Sequence, residues 1–137
     1  MRIEEDIKMD FKDVLIRPKR STLASRKDVD IRREFTFKWS GRKFSGVPVI
    51  AANMDGVGTF AMAKAFKEND HGLTVALHKH YSLDDLKAYF EECSSESVWY
   101  SIGMVDADKE KLEAFLKSDL QKSGHGIDKL CIDVANG

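Results

Sequence analysis

Three times along this chain a short run of β-type apolar residues ends in a dense polar cluster. Residues 47–52 lead into Asn53, Met54 and Asp55. Residues 73–77 lead into His78, Lys79, His80 and Tyr81. Residues 130–132 lead into Asp133, Val134, Ala135, Asn136 and Gly137. Stretches with helical spacing lie between the runs. Phe60, Met62, Ala63 and Phe66 mark one face of a helix over residues 60–68. Leu83, Leu86, Tyr89 and Phe90 mark a second, and Ser82 followed by Asp84 and Asp85 reads as its N-cap and acidic first turn. Leu112, Phe115, Leu116 and Leu120 share a face of a third helix predicted over residues 106–120, and residues 98–102 and 129–134 read as further strands. The run at 47–52 is almost unbroken, the pattern of a strand covered on both faces. Strand, polar cluster and helix in repetition describe βα units of a parallel sheet. In such sheets the residues just past the C-terminal strand ends form the ligand site.

Residues 46–137 therefore hold three βα units and a fourth strand. Part of an eight-stranded barrel and a four-stranded open sheet both fit this count. Residues 1–45 differ. Residues 11–16 and 34–39 are short strand-like runs, and between them lies a basic stretch, Arg17, Pro18, Lys19 and Arg20, with Arg32 and Arg33 beyond it. This segment reads as an N-terminal arm with short strands, ahead of the repeat but within one domain of residues 1–137.

Composition narrows the picture. The chain has 137 residues, 42% hydrophobic and 33% charged, with a formal net charge of −1. That is a globular composition with no global pull toward nucleic acid or acidic membranes. No apolar run approaches the roughly 20 residues of a membrane span. Residues 1–8 are charged and lack the apolar core of a signal peptide. Two cysteines, Cys93 and Cys131, are too few for a disulfide framework. A reducing, cytoplasmic setting is the expectation.

The candidate chemistry sits in the polar clusters. Asn53 to Thr59 contains two glycines and short polar side chains, which suit a tight loop beside a ligand and equally a helix cap. It lacks the spacing of a phosphate-binding P-loop. In the cluster of residues 78–81, Lys79 can hold a phosphate as a point charge. The same four residues also suit a solvated turn. His78 and His80 have no nearby third partner for a metal, so no metal site is expected. Asp133 can accept hydrogen bonds from ribose hydroxyls or a cationic group. Cys131 reads as a core thiol and Cys93 as the end of a helix, neither with an activating neighbour. His71 and His125 fall in loops. Asp108, Lys109, Glu110, Lys111, Glu113 and Lys117 read as a solvated, weakly paired helix face.

Four segments in register resemble the IMP dehydrogenase/GMP reductase family. They are Phe11-Lys12-Asp13-Val14-Leu15-Ile16-Arg17-Pro18-Lys19-Arg20-Ser21, Ala52-Asn53-Met54-Asp55, His78-Lys79-His80-Tyr81-Ser82 and Asp133-Val134-Ala135-Asn136-Gly137. Gly56 departs from the family, where Thr is usual after Met-Asp. Only residues 78–82 separate Leu77 from Leu83, so the regulatory domain usual in the dehydrogenase branch is not inserted. His80-Tyr81 also looks like the reductase version of this loop.

The resemblance implies an α/β fold, the N-terminal half of a (β/α)8 TIM barrel, usually assembled as a homotetramer. It implies NADPH-dependent conversion of GMP to IMP with release of ammonia, a step of purine nucleotide interconversion. In the family a cysteine attacks the purine C2, ammonia leaves and hydride resolves the adduct. That cysteine, most nucleotide contacts and a K+ loop are expected beyond Gly137, so no catalytic residue is expected in this chain and the chain alone is expected to be inactive. Lys79, Asp133, Val134 and Ala135 match cofactor contacts within one subunit. Ser25 and Arg26 match a contact to a neighbour's cofactor. Two other readings stand beside this one: a dehydrogenase-type fragment without the insert, and a non-catalytic half-barrel that binds nucleotide.

Overall fold

The computed structural model describes residues 6–69 and 72–134. The expectations placed on His71, Ala135, Asn136 and Gly137 lie outside the described residues. The chain divides into two compact units, Met1–Asp30 and Ile31–Gly137.

In the first unit the strand expected at residues 11–16 is replaced by a one-turn 3-10 helix, Phe11–Asp13. The cause is local. The Asp10 carboxylate accepts from the Phe11 amide at 2.7 Å, and the Asp13 carboxylate accepts from the Asp10 amide at 3.0 Å. These bonds curl the backbone before it can extend, and no described segment pairs with it. A second 3-10 turn, Arg26–Asp28, is built the same way, with Ser25 as N-cap and Asp28 reaching back to the Ser25 amide.

The second unit opens with an antiparallel hairpin, β1 (Arg33–Thr36) and β2 (Lys43–Gly46), in which Phe35 pairs with Phe44. The strand expected over residues 34–39 therefore stops early. The Phe37 amide already bonds to the Arg42 carbonyl, and Gly41 takes a φ of 66° to close the turn. The largely polar β2 forms as a strand because it pairs with β1 over all four of its residues.

Four parallel strands follow in sequential order: β3 (Ile50–Ala51), β4 (Thr74–Ala76), β5 (Val98–Ile102) and β6 (Leu130–Ile132). Helices α1 (Phe60–Glu68), α2 (Leu83–Glu92) and α3 (Asp106–Leu116) connect them, with a short α4 (Asp119–Lys122) before β6. The βα units of the sequence are thus present, and the steady strand order is consistent with half of a TIM barrel. Helix α2 starts where its sequence marks it. The Ser82 hydroxyl accepts from the Asp85 amide at 3.1 Å, and the Asp85 carboxylate accepts from the Ser82 amide at 3.0 Å. The third helix is shorter than expected. It ends at Leu116, Ser118 stands at the N-cap position of α4 without a side-chain capping bond, and Leu120 belongs to that second helix.

Alternation along β4 and β5 assigns the two sheet faces. Val75, Leu77, Val98, Tyr100 and Ile102 meet Ala63, Leu86, Tyr89, Phe90 and Phe115 of the helices in one core. The opposite face carries Thr74 and Trp99. The Trp99 indole donates to the Thr74 hydroxyl at 2.8 Å, and its ring packs against Phe37 and Phe44 of the hairpin segment.

The run at residues 47–52 is not a strand covered on both faces. Val47 is buried, but Val49 and Ile50 are 58% and 49% exposed. Pro48 has no N–H for a ladder, the Val47 amide bonds to the Gly72 carbonyl, and β3 forms an edge of the sheet. The fourth strand, expected over 129–134, pairs over Leu130–Ile132.

Candidate functional site

Because all four strands of the sheet run parallel, the segments that follow them lie at one end of the second unit. These are the loop from Asn53 to Thr59, the cluster from His78 to Tyr81, the turn at Gly103 and the segment from Asp133. They are tied to one another by backbone contacts. The His78 amide donates to the Gly58 carbonyl at 2.9 Å, and the Asp133 amide donates to the Ile102 carbonyl at 2.8 Å. Gly58 sits so close to the end of β4 that an added Cβ would lie 2.5 Å from the Ala76 carbonyl oxygen. A glycine is required there by close approach.

Lys79 is half-buried. Its Nζ lies beside Gly103, 3.6 Å from the point where a Cβ on that glycine would stand. Gly103 follows β5, the strand between β4 and β6, so Lys79 and Asp133 lie on either side of this glycine's strand. Asp133 and Val134 are exposed. The sheet thus places Lys79, Gly103 and Asp133 at the ends of three successive strands, with the Lys79 ammonium beside a position without a side chain. Ser25 and Arg26 belong to the other unit, at the start of its second 3-10 turn, where the Ser25 hydroxyl accepts from the Lys27 amide at 3.2 Å.

The two histidines of the cluster have separate surroundings. His78 stacks on Tyr81 with ring centroids 3.9 Å apart, and its buried Nδ1 meets no hydrogen-bond partner among the described residues. His80 is exposed, with Nε2 3.7 Å from the Asp55 carboxylate of the preceding loop. Tyr81 continues the stack onto Phe60 at 3.8 Å, and its hydroxyl accepts from the Phe60 amide at 3.2 Å. Phe60 in turn stacks on Tyr89 at 4.5 Å. The cluster is therefore more than a solvated turn: its aromatic members dock the loop onto the first turn of α1. Among the described residues no group of three His, Cys, Asp or Glu side chains is placed to hold a metal ion.

Two further side chains shape this end of the unit. Asp108 and Lys111 lie three residues apart on α3 and, contrary to the expectation of a solvated face, are half-buried. The Gly103 amide donates to Asp108 Oδ2 at 2.8 Å. Lys111 Nζ donates to the carbonyls of Lys79 and Tyr81 at 2.6 and 3.0 Å. Their charge-rich sequence surroundings hide this role, because neighbouring charges of the helix pair with one another. Lys109 meets Asp106 and Lys117 meets Glu113. Below Gly103, burial pushes the Tyr100 phenol up to about 12, and the Asp108 carboxylate adds to the effect. Burial likewise raises Tyr89 to about 12, with Cys93 nearby. Cys93 caps the C-terminus of α2, and Cys131 pairs with Ser101 in the sheet; both thiols are half-buried.

No protein-family model matches the chain. Among curated proteins, it is 54% identical over its whole length to a GMP reductase of Klebsiella pneumoniae and to GMP reductases of several Escherichia coli strains, including O81 and K12. The chain spans 38% of the length of each. This similarity is consistent with the N-terminal part of a GMP reductase.

Proposed function

We propose that this chain is the N-terminal part of an NADPH-dependent GMP reductase, and that its strand-end cluster supplies part of the cofactor site. The observation that carries the reading is identity of 54% sustained over the whole chain, not confined to a motif. The chemistry of the cluster supports it. A dinucleotide carries several phosphate charges and ribose hydroxyls. Lys79 offers a half-exposed ammonium, Asp133 an exposed acceptor, and Gly103 a backbone with no side chain between them.

In this reading Lys79 binds a phosphate as a point charge. Asp133, with Val134 and Ala135, contributes to the same cofactor site, where the Asp133 carboxylate accepts hydrogen bonds from hydroxyls. Ser25 and Arg26 reach the cofactor of a neighbouring subunit in a homotetramer. NADPH supplies the hydride for conversion of GMP to IMP and ammonia. Residues 1–137 form one incomplete barrel domain, with residues 1–45 as its arm, and the intact enzyme works in the cytoplasm with K+ as a monovalent cofactor. The catalytic cysteine lies outside this chain. A nucleophilic thiolate has to stand against the substrate, and Cys93 ends α2 while Cys131 lies within β6, neither of them in the strand-end cluster.

The test follows nicotinamide absorbance and ammonia release with GMP and NADPH. The intact protein turns over and the 137-residue chain alone does not. In the intact protein Lys79→Ala raises KM for NADPH by about tenfold or more, as loss of a charge-assisted phosphate contact requires. KM for GMP changes far less. Unchanged cofactor affinity would remove Lys79 from the site. Turnover by the isolated chain, abolished by Cys93→Ala or Cys131→Ala, would overturn the placement of the nucleophile.

A further inference from the structure

We propose that Lys111 of α3 is a positioning residue for the cofactor site: its ammonium holds the backbone of the loop after β4 in the shape that sets Lys79 beside Gly103, while Asp108 on the same helix face holds Gly103. The inference rests on the reading of Lys79 as a cofactor contact and adds the element that aims it.

The geometry is specific. Residues three apart on a helix share a face. From that face Lys111 reaches the carbonyls of Lys79 and Tyr81, and Asp108 accepts from the amide of Gly103. One helix thus bonds to the segments that follow two successive strands, the two between which the Lys79 ammonium lies. Residues 79 and 81 flank His80, so two carbonyls converging on one cation define the turn between them. Lys111 directs its charge at the backbone, whereas Lys79 forms no ion pair among the described residues and its Nζ stands beside a position without a side chain. The side chains of the loop have their own anchorage, through the Tyr81 hydroxyl and the stacked rings of His78, Tyr81 and Phe60. The backbone at Lys79 and Tyr81 is held by Lys111. These are half-buried, charge-assisted bonds between residues about thirty positions apart, unlike the exposed pairs elsewhere on α3, which contribute little.

The experiment is steady-state kinetics of the intact protein with GMP and NADPH. The variants are Lys111→Met, which keeps the apolar stem and removes the donors, Lys111→Arg, Lys79→Ala and the double variant. Lys111→Gln substitutes for Lys111→Met if that variant does not fold. Lys111→Met is expected to raise KM for NADPH about tenfold, with kcat and KM for GMP within about twofold of the parent. Lys111→Arg recovers most of the loss. In the Lys79→Ala background Lys111→Met adds nothing further, because its effect runs through Lys79.

Independent, additive effects of the two substitutions would overturn the proposal. So would a Lys111→Met variant whose kcat, both KM values and thermal midpoint all shift together, since that marks a merely structural role. An unchanged KM for NADPH in Lys111→Met, beside a raised one in Lys79→Ala, would refute the positioning role and leave the Lys79 reading intact. An unchanged KM in Lys79→Ala would instead overturn that reading, and the proposal with it.

Discussion

Substituting Gly58 probes how the strand-end face is assembled. An alanine methyl at this buried position would stand 2.5 Å from the Ala76 carbonyl oxygen, 2.8 Å from the His78 amide nitrogen and 3.0 Å from the Asn53 Cα. All three atoms are backbone, so no rotamer change can clear the space. Overpacking of this kind costs about 1–3 kcal/mol. The Gly58 carbonyl also accepts from the His78 amide at 2.9 Å, and displacing the loop weakens that bond, worth about 0.5–1.5 kcal/mol. Gly58→Ala is therefore expected to destabilise the intact protein by roughly 1.5–4.5 kcal/mol, as the sum of these two terms. Because the displaced backbone leads directly into Lys79, KM for NADPH should rise as well. Gly56→Ala in the same loop is the control. Its added methyl meets nothing within 4 Å and its φ is not positive, so its effect should stay within about 1 kcal/mol and favour the folded state. Urea titration compares the midpoints at constant slope. If Gly58→Ala and Gly56→Ala unfold at the same denaturant concentration, close packing of this loop on the end of β4 is refuted.

Two further outcomes are expected. Phe115 is fully buried and meets Phe90 edge-on with ring centroids 5.4 Å apart; Phe115→Ala should cost about 3–5 kcal/mol, read by denaturant titration, and a cost below about 1 kcal/mol would place α3 off the sheet. The phenols of Tyr89 and Tyr100, both raised to about 12 by burial, should ionise only well above the usual tyrosine range of about 10. Since the folded values exceed the unfolded ones, stability from these groups is whole below pH 10 and declines as pH climbs from about 10 to 12. Tyrosinate absorbance with parallel unfolding curves checks this, and ionisation of both rings near pH 10 without unfolding would refute their burial.

What could be read from the chain itself was local. Helices α1 and α2 lie where spacing and caps placed them, because Thr59 and the Ser82–Asp85 pair satisfy the first-turn amides from within a few residues. Parallel βα units were also legible, since runs of period two and stripes of period 3.6 alternate in order. The break at Ser118 has a weaker signal, a serine followed by Asp119 but without the capping box that starts α2. The failed strand at residues 11–16 had one too, in the spacing of Asp10 and Asp13. Other features were not local. A strand's true length depends on its ladder partner, so β3 shrank to two paired residues beside Pro48, and polar β2 formed against β1. The polar clusters announced which residues sit at strand ends. The order of the strands placed Gly103 between the β4 and β6 ends, and the docking of α3 turned Asp108 and Lys111 toward the loops. A charged residue looks the same in sequence whether it faces water or a buried carbonyl. Which of the two it meets depends on contacts between segments some thirty residues apart, and only the packed chain brings those together.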